Sequence, residues 1–185
     1  MEGLIYIHEH WHSNQVVNEI FKFITKLGDT GFIWICLAAI FLCFRKTRKT
    51  AIVMLCSLGV GFLINDFVLK NIFERVRPFN EFEPFKDFLV DMNIEFPSGF
   101  SFPSGHSYSS FNCAMVITLM HKKKGAVSLA LASLIAFSRV FLLVHYPTDV
   151  LAGMILGVIT AVCSYYIYKK IIKTIKTKRR SDIRR

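Results

Sequence analysis

Five apolar runs, Gly31–Phe44, Ala51–Leu69, Ser107–Met120, Gly125–Val144 and Val150–Tyr168, set the limits on what this chain can become. A membrane span takes about 20 apolar residues at a rise of about 1.5 Å each. Three of the runs have that length; the first and third are short and draw on flanking residues or a thinned bilayer. With 53% hydrophobic residues and a mean hydropathy of +0.43, the chain is expected to use lipid as its solvent. In lipid the backbone must satisfy its own hydrogen bonds, which leaves helices for runs of this kind. The expected fold is an all-α, polytopic transmembrane helical bundle of five to six membrane helices, with one membrane-embedded domain over residues 1–168 and a basic tail over 169–185.

The formal charge of +10 invites a nucleic-acid reading, but its placement excludes one. Basic residues cluster at Arg45–Lys49, at Lys122–Lys124 and from Lys169 onward. Five spans put all three clusters on one side, which the positive-inside rule makes cytoplasmic. Met1–Thr30, Lys70–His106 and the turn His145–Asp149 then face outward. The expectation is a multi-pass cell-membrane protein whose partners are the bilayer and a lipid, with the tail available to anionic head groups. No signal peptide is evident in the first thirty residues. Cys36, Cys43, Cys56, Cys113 and Cys163 fall in apolar runs and read as small buried hydrophobes, with no disulfide and no zinc.

Val16–Leu27 places Val17, Ile20, Phe21, Ile24 and Leu27 at helical spacing between charges, the pattern of an amphipathic helix lying on the outer interface. Before it, His8, His10 and His12 alternate; an extended strand would set them up for a metal, whereas a surface terminus anchored by Trp11 is the expected reading. The connection Lys70–His106 is long for a helix junction and rich in Phe, which argues for order over a site. It holds a local echo: Phe96-Pro97-Ser98-Gly99 precedes Phe102-Pro103-Ser104-Gly105, and only the second copy is followed by a histidine.

The derived topology gathers distant polar residues at the outer surface. Lys70 and Arg77 follow the second span, Ser104, Gly105 and His106 open the third, Arg139 closes the fourth, and His145 and Asp149 bracket the turn into the fifth. Lys70, Arg77 and Arg139 without an equal set of carboxylates describe an anion receptor, and guanidinium forks match phosphate oxygens. The N-termini of the third and fifth helices add N–H groups, with Gly105 permitting close approach and Ser104 a hydroxyl donor. Arg139 lies about 7 Å inside its span, where an unpaired charge costs a few kcal/mol, so an anion should meet it. Asp66, one turn before Lys70, reads as that lysine's partner.

Binding alone leaves His145 and His106 without a purpose. A neutral His145 can take the phosphoryl group as a phosphohistidine, with Asp149 fixing its tautomer, while His106 protonates the leaving oxygen and then activates water. No acidic cluster suits Mg²⁺, so neither metal nor cofactor is expected.

Lys70-(six residues)-Arg77-Pro78, Pro103-Ser104-Gly105-His106 and Ser138-Arg139-(five residues)-His145-(three residues)-Asp149 resemble the three-part signature of the type-2 phosphatidic acid phosphatase superfamily. The resemblance covers roughly Asn14 to Tyr168 and implies the same roles: Lys70, Arg77, Ser104, Gly105 and Arg139 for phosphate, His145 as nucleophile, Asp149 as its partner and His106 as the acid. It implies hydrolysis of a lipid phosphate or diphosphate, foremost undecaprenyl diphosphate, with phosphatidylglycerol phosphate and phosphatidic acid as alternatives. Of a different class is a transporter or binder that holds the phosphate lipid without cleaving it; it would need the cations and not His145.

Overall fold

A computed structural model describes residues 1–183; Arg184 and Arg185, the end of the expected basic tail, lie outside the described residues. The described residues form helices α1 (Glu2–Trp11), α2 (Gln15–Leu27), α3 (Phe32–Cys43), α4 (Arg48–Phe62), α5 (Lys70–Phe73), α6 (Pro78–Glu81), α7 (Glu83–Asp91), α8 (Gly105–Met120), α9 (Lys122–Phe141) and α10 (Pro147–Ile183). A 3₁₀ turn at Asp29–Gly31 joins α2 to α3, and a π-helical stretch at Leu63–Leu69 carries α4 into α5. The all-α expectation holds, and the five apolar runs lie on helices except for Phe44, which ends the first, and residues 142–144 of the fourth, which turn away after the end of α9.

The helix α8 is the hub, packing against α3, α4, α9 and α10. Its neighbours are protein rather than lipid, so it tolerates a polar sequence: Ser107, Ser109, Ser110 and Asn112 are all buried. Between helices in lipid, cohesion comes from close packing and polar side chains rather than from the hydrophobic effect. Both are visible here. A Cβ on Gly153 of α10 would stand 2.5 Å from the Ser104 carbonyl oxygen, and one on Gly157 would stand 2.5 Å from that of Tyr108. Asn112 donates to Ser57 Oγ at 2.7 Å, Tyr108 to Thr160 Oγ1 at 2.9 Å and Trp34 to Ser110 Oγ at 3.0 Å. The outer faces carry exposed Ile52, Val60, Leu151 and Ile155, as lipid contact requires.

Two helical segments, Arg48–Glu81 and Pro147–Arg179, are long and apolar enough to cross a membrane by themselves, and α2 with the segment Asp29–Cys43 is so as a pair bent by 46°. The 37 residues of α10 reach about 55 Å, beyond the hydrocarbon, so the basic tail continues the last helix through Ile183.

The helix α2 forms over Gln15–Leu27, where the amphipathic pattern expects one, and leads into the next helix through the 46° bend. It buries Asn18 and Thr25 on one face and exposes Val16, Ile20 and Phe23 on another, and the break comes where Thr30 (φ +51°) and Gly31 (φ +75°) turn left-handed. Other expectations need correction. The N-terminal histidines are helical, which sets His8 and His12 on one face and His10 on another, so their alternation presents no shared ligand face. His12 stacks on Phe88 of α7 at 3.8 Å and donates from Nε2 to the Phe141 carbonyl at 2.8 Å. Burial there lowers its pKa to about 4. Of the cysteines only Cys113 is buried, while Cys43, Cys56 and Cys163 are exposed on the outer faces, where lipid accepts a thiol as readily as a core does. The Lys70–His106 connection is ordered by its aromatic residues: Phe79, Phe85, Phe88 and Leu89 are buried beside Leu4 of α1.

Candidate active site

Arg77 precedes Pro78, and with its extended backbone caps α6. Its side chain is 4% exposed and donates from Nε to the Gly99 carbonyl at 2.9 Å, from Nη2 to that of Ser98 at 3.1 Å and from Nη1 to that of Val144 at 3.1 Å. The first Phe-Pro-Ser-Gly copy therefore supplies carbonyls that aim a guanidinium. The second copy opens α8, with Ser104 as its N-cap. Neutral carbonyls orient Arg77 without cancelling its charge, which stays available to an anion.

Arg139 sits in the last turn of α9, nearer the helix end than the apolar run implied, because the backbone turns left-handed at Leu143 (φ +58°). It donates from Nη1 to Thr25 Oγ1 of α2 at 2.5 Å, its Nε is buried without a partner, and no carboxylate reaches it among the described residues. A buried guanidinium so incompletely satisfied calls for an anion. Lys70 by contrast already holds Asp66 Oδ1 at 2.5 Å, the partner expected one turn earlier.

His145 is 2% exposed. Its Nε2 stands 3.2 Å from Arg77 Nη1, which can only donate, so Nε2 carries the lone pair and Nδ1 the proton. That proton faces the Ser101 hydroxyl oxygen at 3.3 Å, while Asp149 Oδ2 is 3.5 Å away, beyond an ordinary hydrogen bond. Ser101 in turn donates to Asp149 Oδ2 at 2.5 Å. The expected direct His145–Asp149 contact is thus bridged by a hydroxyl. Burial, against the opposing pull of Asp149, lowers the His145 pKa to about 3 and keeps the ring neutral. The wholly buried Asp149 also accepts from the Tyr146 N–H at 3.0 Å and from Arg75 Nη1 at 2.7 Å. Arg75 lies over the Tyr146 ring at 3.9 Å and reaches Thr148 Oγ1 at 2.7 Å.

His106, the second residue of α8, places Nε2 2.8 Å from Asp29 Oδ1 at the α2–α3 break. Gly28 lets them meet: a Cβ there would stand 2.7 Å from His106 Cδ2 and 2.6 Å from Ile135 Cγ2. Lys70, Arg77, Gly105, His106, Arg139 and His145 all line one open cavity of about 1120 Å³. Its other wall is apolar, with Ile35 of α3 and Leu55, Leu58 and Phe62 of α4. Asp149 stands behind His145. Ser104 is buried behind the cavity lining, where its hydroxyl oxygen accepts from Ser107 Oγ at 3.1 Å and caps α8; its own O–H is engaged by neither contact. Nor does packing demand a glycine at 105, where a Cβ would approach no atom closer than 3.8 Å. Among the described residues no three His, Cys, Asp or Glu side chains cluster as a metal site.

Arg75, Ser101, Thr25 and Asp29 were not singled out from the sequence. Ser101 and Arg75 lie within a few residues of signature positions, a signal that a closer reading finds; Thr25 and Asp29 carry none, because only the bend after α2 brings them in.

The family model of the PAP2 superfamily matches residues 50–173. The chain is 32% identical over 146 residues to the undecaprenyl-diphosphatase of Sulfolobus acidocaldarius, covering 78% of this chain and 68% of that protein. A shorter stretch of 61 residues, 33% of this chain and 30% of its counterpart, is 41% identical to the bacitracin transport permease protein BcrC of Bacillus licheniformis. Among solved structures, the fold is similar to the transmembrane PAP2-type phosphatidylglycerolphosphate phosphatase of Bacillus subtilis, with a TM-score of 0.69 and 29% identity over 92% of this chain and 86% of that one. It is also similar to LpxE of Aquifex aeolicus, with a TM-score of 0.71 and 25% identity over 89% and 93%. A cavity lined by two buried guanidiniums and two histidines, inside a match of that extent, leads to one placement: the chain belongs to the PAP2 superfamily.

Proposed function

We propose that this protein hydrolyses the terminal phosphate of a membrane lipid, with undecaprenyl diphosphate as its foremost substrate, through a phosphohistidine on His145. The observation that carries this reading is a neutral, buried imidazole whose Nε2 lone pair lies 3.2 Å from a guanidinium, in a cavity that a second buried guanidinium also lines. A tetrahedral anion drawn between Arg77 and Arg139 arrives beside that lone pair. The Arg77 N–H then passes from Nε2 to a phosphate oxygen, and Nε2 attacks phosphorus in line with the leaving lipid oxygen. Asp149, acting through Ser101, steadies the positive charge that develops on the ring. His106 gives its proton to the leaving oxygen and then takes one from the water that cleaves the P–N bond. Lys70, Arg77 and Arg139 neutralise the transferring group, with Gly105 and the α8 N-terminus beside it and Ser104 securing that terminus.

The apolar wall of Ile35, Leu55, Leu58 and Phe62 suits a lipid tail entering beside the polar groups. The basic clusters favour five spans with the site outward and the tail cytoplasmic. The donor set favours chemistry without a metal. The undecaprenyl-diphosphatase relative supports the diphosphate; the likeness to a phosphatidylglycerolphosphate phosphatase supports a monoester as the second substrate.

Purified protein in detergent, with EDTA, offered undecaprenyl diphosphate, phosphatidylglycerol phosphate and phosphatidic acid, tests the reading. Phosphate release that His145→Ala abolishes is expected, fastest with the diphosphate. Undiminished release by His145→Ala removes the nucleophile, and tight binding without release from any lipid leaves a non-hydrolytic binder.

A further inference from the structure

We propose that Asp29 is the positioning residue of the acid–base histidine, so that the site contains a second imidazole–carboxylate pair assembled by the α2–α3 bend; this rests on the phosphatase reading above. Asp29 precedes the segment matched by the family model, which begins at residue 50. The contact is geometric: Asp29 Oδ1 lies 2.8 Å from His106 Nε2. A carboxylate only accepts, so Nε2 carries a proton that it donates to Asp29, and Nδ1 is left for proton exchange.

Charge gives the pair its purpose. Burial first, and then Arg139 and Arg77, hold the His106 pKa down to about 4 against the upward pull of Asp29; a bound phosphate adds its negative charge to that of Asp29, and the two together favour the imidazolium that an acid requires. Asp29 supplies the counter-charge on the side of the ring away from exchange. In the first step the protonated Nδ1 gives its proton to the leaving oxygen as the P–O bond breaks and the His145 Nε2–P bond forms. In the second, the neutral Nδ1 takes a proton from water, the water oxygen bonds to phosphorus, and the P–N electron pair returns to His145. Asp29 remains a carboxylate throughout.

The backbone is shaped around this contact. Left-handed Thr30 and Gly31 turn the chain immediately after Asp29, and Gly28 leaves room for the imidazole. The same bend brings Thr25 onto Arg139, so one short segment orients both an acid and a phosphate ligand.

The test separates leaving-group protonation from stability. Asp29→Asn should lower kcat for phosphatidic acid, whose leaving alkoxide needs a proton, on the order of 10- to 100-fold with KM changed less than about twofold. With p-nitrophenyl phosphate, whose nitrophenolate leaves unaided, the burst from phosphorylation of His145 should keep its rate while the following turnover slows. Asp29→Glu should restore part of the phosphatidic acid rate. Equal loss in the burst and in lipid turnover, or no loss in either, overturns the proposal while wild-type hydrolysis leaves the phosphatase reading standing. A wild-type protein that releases no phosphate overturns both.

Discussion

The two histidines occupy one cavity, yet they are held in opposite ways. His145 is buried, ringed by Arg77, Ser101 and, behind the hydroxyl, Asp149, all from segments within the family match. His106 is half-buried at the open side, and its carboxylate, Asp29, is itself exposed and comes from the bend between α2 and α3. The contrast suits the two roles proposed above, nucleophile for His145 and acid for His106. A nucleophile has to be neutral, fixed in tautomer and shielded from water, which burial and a rigid network secure. An acid has to be reloaded with protons from solvent, which the open side permits.

The sharpest way to break the comparison is at the buried end. Asp149→Asn should lower kcat about 10³-fold or more, because the amide no longer opposes the imidazolium formed on attack; steady-state kinetics on undecaprenyl diphosphate that stay within tenfold of wild type would show that the rigid network is not needed. Ser101→Ala should follow, with a kcat loss on the order of 10- to 100-fold and little change in KM, since Nδ1 and Asp149 lose their bridge but keep their places. Restoration by Ser101→Thr would confirm that the hydroxyl, rather than side-chain volume, is what matters.

The open end should respond more gently. Gly28→Ala pushes a methyl into His106 and the buried Ile135, so the ring shifts from its place and activity on phosphatidic acid should fall about tenfold or more, with circular dichroism checking that the protein remains folded. The smallest effect is on stability. The folded His145 stays neutral to a pKa of about 3, whereas an unfolded one binds a proton near 6.5, so between these values the unfolded state holds more protons. Unfolding in detergent should therefore become easier as pH falls through that window, and His145→Gln should flatten the slope.

Much of the site was legible because its residues stand where apolar runs end, and the charge pattern alone brings those ends to one face. Arg77, Arg139 and His145 line one cavity, the gathering that the derived topology called for. What spacing missed was the manner of meeting. The first Phe-Pro-Ser-Gly copy looked idle beside the second, yet its carbonyls hold Arg77. Asp149 was expected to hold the His145 ring by itself; it stands 3.5 Å from Nδ1, and the Ser101 hydroxyl lies between the two. Ser104 caps α8 as well, accepting from Ser107. In each case the missing fact was the direction of a side chain within a non-helical segment, where periodicity offers no guide.

Local pattern determined the helices, because 1.5 Å per residue and an apolar solvent leave a run of that length little else to do. It determined the signature residues and the sign of charge at the site as well. The bend after Leu27, the placing of Thr25 and Asp29 against Arg139 and His106, and the close seating of α8 on Gly153 and Gly157 were decided by tertiary structure. They depend on which surfaces touch across long separations in sequence, and no window of neighbouring residues contains that information.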